Sequence, residues 1–153
     1  MIRPILTALL AAIAVLPSAA ADAQSAGAYR VDDSGTVVVE PVLPMQWRPG
    51  GSSIVSASTR VNVQLNLAPW NGRSGRIYMT LPRGAGPTVR ATWQTGGVML
   101  PGTLLSGERA LVYSGPIASA LLRDLIDIRL EADSMRLLQP QALAFGFEIE
   151  VDP

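Results

Sequence analysis

The stretch Leu143-Ala144-Phe145-Gly146-Phe147-Glu148-Ile149-Glu150-Val151 decides the fold. Large apolar residues occupy every second place, and small or acidic residues fill the places between. A period of two puts all five apolar side chains on one face of a β-strand, whereas a helix would scatter them around its circumference. The same alternation returns upstream. Ile126, Ile128, Leu130 and Ala132 oppose Asp127, Arg129 and Glu131. Val61, Val63, Leu65 and Leu67 oppose Asn62, Gln64 and Asn66, and Val89, Ala91 and Trp93 oppose Arg90, Thr92 and Gln94. Shorter strands are expected over Thr36–Val42, Arg76–Leu81, Gly97–Leu100 and Ala110–Tyr113.

Turn chemistry separates these runs. Asn71-Gly72 favours the positive backbone angles of a tight hairpin, which is expected to join the strand ending near Ala68 to the one starting near Arg76. Pro82-Arg83-Gly84-Ala85-Gly86-Pro87, Pro49-Gly50-Gly51 and Pro101-Gly102 read as loops. A single short helix is expected at Pro116–Arg123, opened by its proline. About seven or eight short alternating strands with polar turns describe an all-β chain folded as one antiparallel sandwich, of immunoglobulin-like or jelly-roll-like kind. A small closed barrel is the alternative. A membrane-spanning barrel fits less well, because aromatics make up only 5% of the chain, thin for two interfacial girdles, and several runs are too short.

Residues 1–23 read as a signal peptide for the general secretory route. Arg3 supplies the charged start, Ile5–Leu16 the apolar run, Pro17-Ser18 the break and Ala21-Asp22-Ala23 the small-x-small site, with cleavage before Gln24. The apolar run is too short to cross about 30 Å of hydrocarbon comfortably, and no later segment approaches the length of a spanning helix, so no span is expected in the mature chain. Residues 24–35 are expected to form a flexible leader and residues 36–153 one sandwich domain. The expected location is the periplasm or the cell surface.

Composition excludes several chemistries. The 153 residues contain no Cys and no His, and every one of the 12 basic residues is arginine, so there is no Lys. Thiolate and imidazole chemistry, a serine–histidine–aspartate triad, Schiff bases and a P-loop are therefore out of reach. The chain is not expected to be an enzyme, and no cofactor or metal is expected. Asp124, Asp127, Glu131 and Asp133 form the densest acidic run, but residues i and i+4 on a strand lie about 13 Å apart. That spacing suits a solvated strand face better than one calcium ion. Asp133-Ser134 is the expected turn after it.

Charge is balanced overall yet uneven along the chain. No acid lies between Glu40 and Glu108, where Arg48, Arg60, Arg73, Arg76, Arg83 and Arg90 stand. From Glu108 onward, eight acids face four arginines. Basic and acidic strands can interleave in the fold. They can also form a bipolar particle that meets a partner, or a patch for an anionic glycan or headgroup. Nucleic acid is not expected, with zero net charge and no recognition motif.

Two places stand out as binding candidates. Trp70, Asn71, Arg73 and Arg76 cluster at the expected hairpin tip, where an exposed indole could stack on a sugar ring and the polar groups hold hydroxyls or a carboxylate. The dull alternative is that Trp70 folds back and caps the sandwich; Trp47 and Trp93 are expected in or beside the core. The second place is Thr36–Met45, whose Pro41 and Pro44 lack the donor N–H of a central strand. It is expected at a sheet edge, with Val37, Val39, Leu43 and Met45 as an association surface. Such an arm can pair within its own sheet or enter a neighbour's. Strand donation also assembles pilus subunits, which this chain matches in size and architecture only, without a shared motif. The expected function is structural or associative, at an edge or a charged face; the alternative is a module for an anionic or saccharide ligand.

Overall fold

The computed structural model describes residues 10–12, 27–47, 50, 52–84, 86–136 and 143–153. Among the described residues twelve strands run in chain order: β1 (Leu10–Ala12), β2 (Ala28–Arg30), β3 (Val37–Val38), β4 (Val42–Pro44), β5 (Gln46–Trp47), β6 (Ile54–Asn66), β7 (Ser74–Thr80), β8 (Arg90–Thr95), β9 (Gly102–Leu105), β10 (Arg109–Pro116), β11 (Leu121–Asp133) and β12 (Gly146–Val151). Two short 3-10 turns, Ala68–Trp70 and Ser134–Arg136, are the only helical pieces among the described residues. Two antiparallel sheets pack face to face as a β-sandwich. One has the order β10-β7-β12-β2, the other β3-β6-β11-β8-β9, with β5 also on the outer edge of β6.

The longest ladder carries the fold. β6 and β11 pair from Leu121↔Asn66 to Asp133↔Ile54 without a register shift. Its inward face matches Leu65 with Leu122, Val61 with Ile126, Ala57 with Leu130 and Val55 with Ala132, all buried. Its outward face matches Arg60 with Asp127 and Gln64 with Arg123. On the other side of β11, Trp93 of β8 sits opposite Ile128, and its indole N–H donates to Leu100 O at 2.9 Å. A Cβ at Gly102 would lie 2.8 Å from that ring, so glycine lets β9 close over the indole. The second sheet presents Ile77, Met79, Phe147 and Ile149 to the same core.

Nearly every connection crosses between the sheets. The chain leaves β6 through Ala68–Trp70 and Asn71-Gly72, where Gly72 takes φ +86°, and enters β7 in the other sheet. Asn71-Gly72 is thus a corner and not a hairpin turn. The pair supplies the bend, but β6 finds its partner in distant β11 and β7 in β10 and β12. Within the six-stranded sheet, β8 pairs with the next strand β9, and the short β5 with the next strand β6. At the β9–β10 side the sheets are knitted together: a bulge between Leu111 and Tyr113 frees Val112 O to accept Leu100 N at 2.7 Å.

Other expectations change for physical reasons. Gly97–Leu100 is a bend, and the strand is Gly102–Leu105 beyond Pro101. The expected helix at Pro116–Arg123 is absent: Pro116 ends β10, and Leu121 and Leu122 are drawn into the β6 ladder. Leu143–Phe145 precedes the last strand and packs on the core without joining a ladder. Thr36–Val42 breaks at Pro41 into β3 and β4. Residues 28–35, expected in a leader, belong to the sandwich: β2 pairs with β12, Val31 is buried and Asp32 bridges to Asn66 of β6. Of the expected signal segment, only Leu10–Ala12 lies within the described residues. The cleavage site lies outside them, as does most of Pro49-Gly50-Gly51.

Candidate functional site

The Trp70 cluster lies where the β6–β7 corner meets the β10–β11 connection. Leu67 N donates to Ala120 O, Gly72 N to Ile117 O, and Ile117 N to Arg73 O, so the two connections brace each other. Trp70 is half-buried and packs on the core, its ring 6.3 Å from that of Tyr29 at a 42° tilt. It folds back over the end of the sandwich. Asn71 is exposed. Arg73 donates to Asp152 O at 3.1 Å, and Arg76 lies 3.8 Å from the Asp152 carboxylate and 4.0 Å from that of Glu150. The four residues are neighbours, but both guanidiniums are engaged by the C-terminal strand and its tail.

These contacts show how the uneven charge resolves. Arg60 pairs with Asp127 at 2.9 Å, and Arg76 with Glu150 and Asp152, so the basic middle and acidic end interleave. On the outer face of the four-stranded sheet, Arg109 lies over the Tyr78 ring at 4.2 Å and 2.8 Å from Glu150. Glu150 is held below the usual carboxylate range by its hydrogen bond from Arg109, then by that charge, with the Tyr78 hydroxyl and Arg76 adding. Two adjacent acids shift apart. Asp32 is lowered by hydrogen bonds from Ser34, and Asp33 is raised by burial. Asp33 borders an apolar cavity of about 20 Å³ between the sheets, room for about one water. No group of three or more metal-ligating side chains occurs among the described residues.

The edge of the six-stranded sheet is built differently. Val37 and Val38 pair with Asn62 and Val61, and Gln46 and Trp47 with Ser56 and Val55. Between these short ladders the chain leaves the sheet. Val39 N still donates to Arg60 O, and Thr59 donates its hydroxyl to Glu40 O at 3.4 Å. Beyond Pro41 the segment turns inward, burying Leu43 to 1% exposure and packing Met45 partly on the core. Of the expected association residues, Val37 (57% exposed) and Val39 (53%) therefore face outward, whereas Leu43 and Met45 face the core. Trp47, expected in or beside the core, is 66% exposed: the two-residue β5 lies on the outer edge of β6 and leaves its indole facing outward. The backbone of Val42–Pro44 carries an antiparallel ladder to β1, in the register Leu10↔Pro44, Ala11↔Leu43 and Ala12↔Val42.

Two features went unseen in the sequence. Asp124 occupies an inward position of β11, opposite Val63, in a set otherwise apolar. Its carboxylate accepts Met99 N and Leu125 N, both at 2.7 Å, and so pins the Gly96–Met99 bend. Beside this bend lies an open groove of about 520 Å³, lined by Leu67 of the β6–β7 corner, parts of β10 and β11, the β8–β9 bend and the β10–β11 connection. Among the described residues its only charged lining residue is Arg123. An acid interrupting an inward apolar series was the one available signal for the pinned bend; the groove gathers segments that share no motif. The chain matches no protein-family model, no curated protein and no solved structure.

Proposed function

We propose that this chain is an exported, non-catalytic sandwich that associates with other protein chains through its Val37–Trp47 edge, at the periplasm or cell surface. The observation that carries the reading is the β1–β4 ladder: Val42–Pro44 presents its outer backbone groups in a register that a foreign strand can take. Val37, Val39 and Trp47 flank that position with exposed apolar side chains, the material of an interface centre. On this reading, removal of the signal segment before Gln24 takes Leu10–Ala12 away and leaves the ladder open. The absence of His, Lys and Cys from the sequence supports a role without proton or covalent chemistry. The saccharide reading of Trp70, Asn71, Arg73 and Arg76 is supported less, since Trp70 packs back and both arginines have partners.

Light scattering on the chain starting at Gln24 tests the proposal. The expected result is a mass that grows with concentration in the wild type and stays monomeric in Val37→Lys/Val39→Lys, because edge lysines block strand addition. Both sites are exposed, so the urea midpoint should hold. A wild type that stays monomeric throughout overturns the reading.

A further inference from the structure

We propose that the groove at the corner end binds a single-chain amphiphile with one anionic head group, countered by Arg123. The groove, about 520 Å³, falls within the roughly 300–1,000 Å³ range of small-molecule sites. Leu67, Ile117 and Leu122 are buried beneath it, and Val98, 60% exposed, stands on its rim. The hydroxyls in its wall are already committed: Tyr113 donates to Pro116 O at 2.6 Å, and Ser119 bonds the backbone of Leu121. Neither wall hydroxyl has an O–H left to give a sugar, and the apolar side chains around them suit an alkyl chain.

Charge selects the head group. Arg123 spends one N–H on Gln64 Oε1 at 3.2 Å and has no ion pair among the described residues. Among the described residues no acid lines the groove, and the neighbouring Asp124 carboxylate is held by two backbone N–H groups. A carboxylate entering head-first meets a guanidinium with donors to spare, whereas an ammonium meets the like charge of that guanidinium. The same Asp124 contacts fix the bend that carries Val98, so the rim is set before a ligand arrives.

Titration calorimetry of the purified protein with decanoate, octanoate, methyl decanoate and decyltrimethylammonium, each below its micelle concentration, tests this. Decanoate should bind saturably and roughly tenfold more tightly than octanoate, from two more buried methylenes. Arg123→Gln should weaken decanoate about tenfold and leave methyl decanoate unchanged. Val98→Glu should abolish binding, and Arg129→Gln, farther along the same strand, should not alter it. Both Arg123 and Val98 are exposed, so each variant can fold. Saturable binding of the cation as tight as decanoate, an Arg123→Gln variant that binds decanoate normally, or no saturable heat with decanoate overturns the proposal.

Discussion

The β6–β11 pair and the Val37–Trp47 edge are both rich in β-branched and apolar residues, yet they are built on opposite terms. In the pair, every residue from Ile54 to Asn66 has a cross-strand partner, and alternate side chains vanish into the core. In the edge, two residues pair with β6 at each end, Val42–Pro44 between them leaves β6 and pairs with β1, and Leu43 alone of the described side chains is fully buried. The lesson is that apolar content does not by itself make core. Long, continuous pairing within a sheet turns a strand's apolar face inward, whereas the two-residue edge ladders leave Val37 and Trp47 paired with β6 yet facing solvent, and Leu43, between the two prolines, reaches the core.

Two tryptophans offer the widest separation between the regions. Trp93→Ala should cost about 3–5 kcal/mol, since it empties a fully enclosed site beside Ile128 and Gly102. Trp47→Ala should change stability by no more than about 0.5 kcal/mol, because its indole stands in water. Urea unfolding measures both; similar losses would erase the distinction. Leu43→Ala comes next. Leu43 should behave as a core residue lodged in an edge segment, costing about 2–3 kcal/mol, the lower part of the range because an edge can relax into the space. A cost under about 0.5 kcal/mol would show that the segment is not anchored there.

The smallest effect concerns charge on the second sheet. Glu150 has a folded-state value below its unfolded one, so its network contributes fully above the unfolded value of about 4.3 and the contribution fades as pH falls through the folded value. Asp33 runs the other way: its folded value is raised, so its cost is relieved as pH falls. Urea midpoints taken from neutral pH to about pH 3 should therefore drop less steeply in Glu150→Gln than in the wild type, and more steeply in Asp33→Asn. Parallel curves would remove the role assigned to the Arg109–Glu150 pair.

What was legible in the sequence follows from this contrast. The inward series Ile126, Ile128, Leu130, Ala132 and Val61, Val63, Leu65 could be read directly, because period two is a local property and these strands obey it. The edge character of Thr36–Met45 was legible through its prolines, but the inward turn of Leu43 was not, since it depends on the space left under β6. Asn71-Gly72 announced a bend and was silent on whether the strands beside it pair, a long-range matter. Gly102–Leu105 was hidden by the Pro101-Gly102 punctuation, although Gly102 serves the packing of Trp93. Trp70, Asn71, Arg73 and Arg76 stand at a corner between sheets, where the sequence predicted a hairpin tip. The acids that engage its arginines lie in the last strand and tail, far along the chain.

Hydrogen exchange across a range of protein concentrations tests the association most directly, on the chain starting at Gln24. Amides of Val37 to Trp47 should gain protection as concentration rises, while those of β6 and β11 stay at the same high level throughout. Exchange in the edge segment that is independent of concentration would contradict the account.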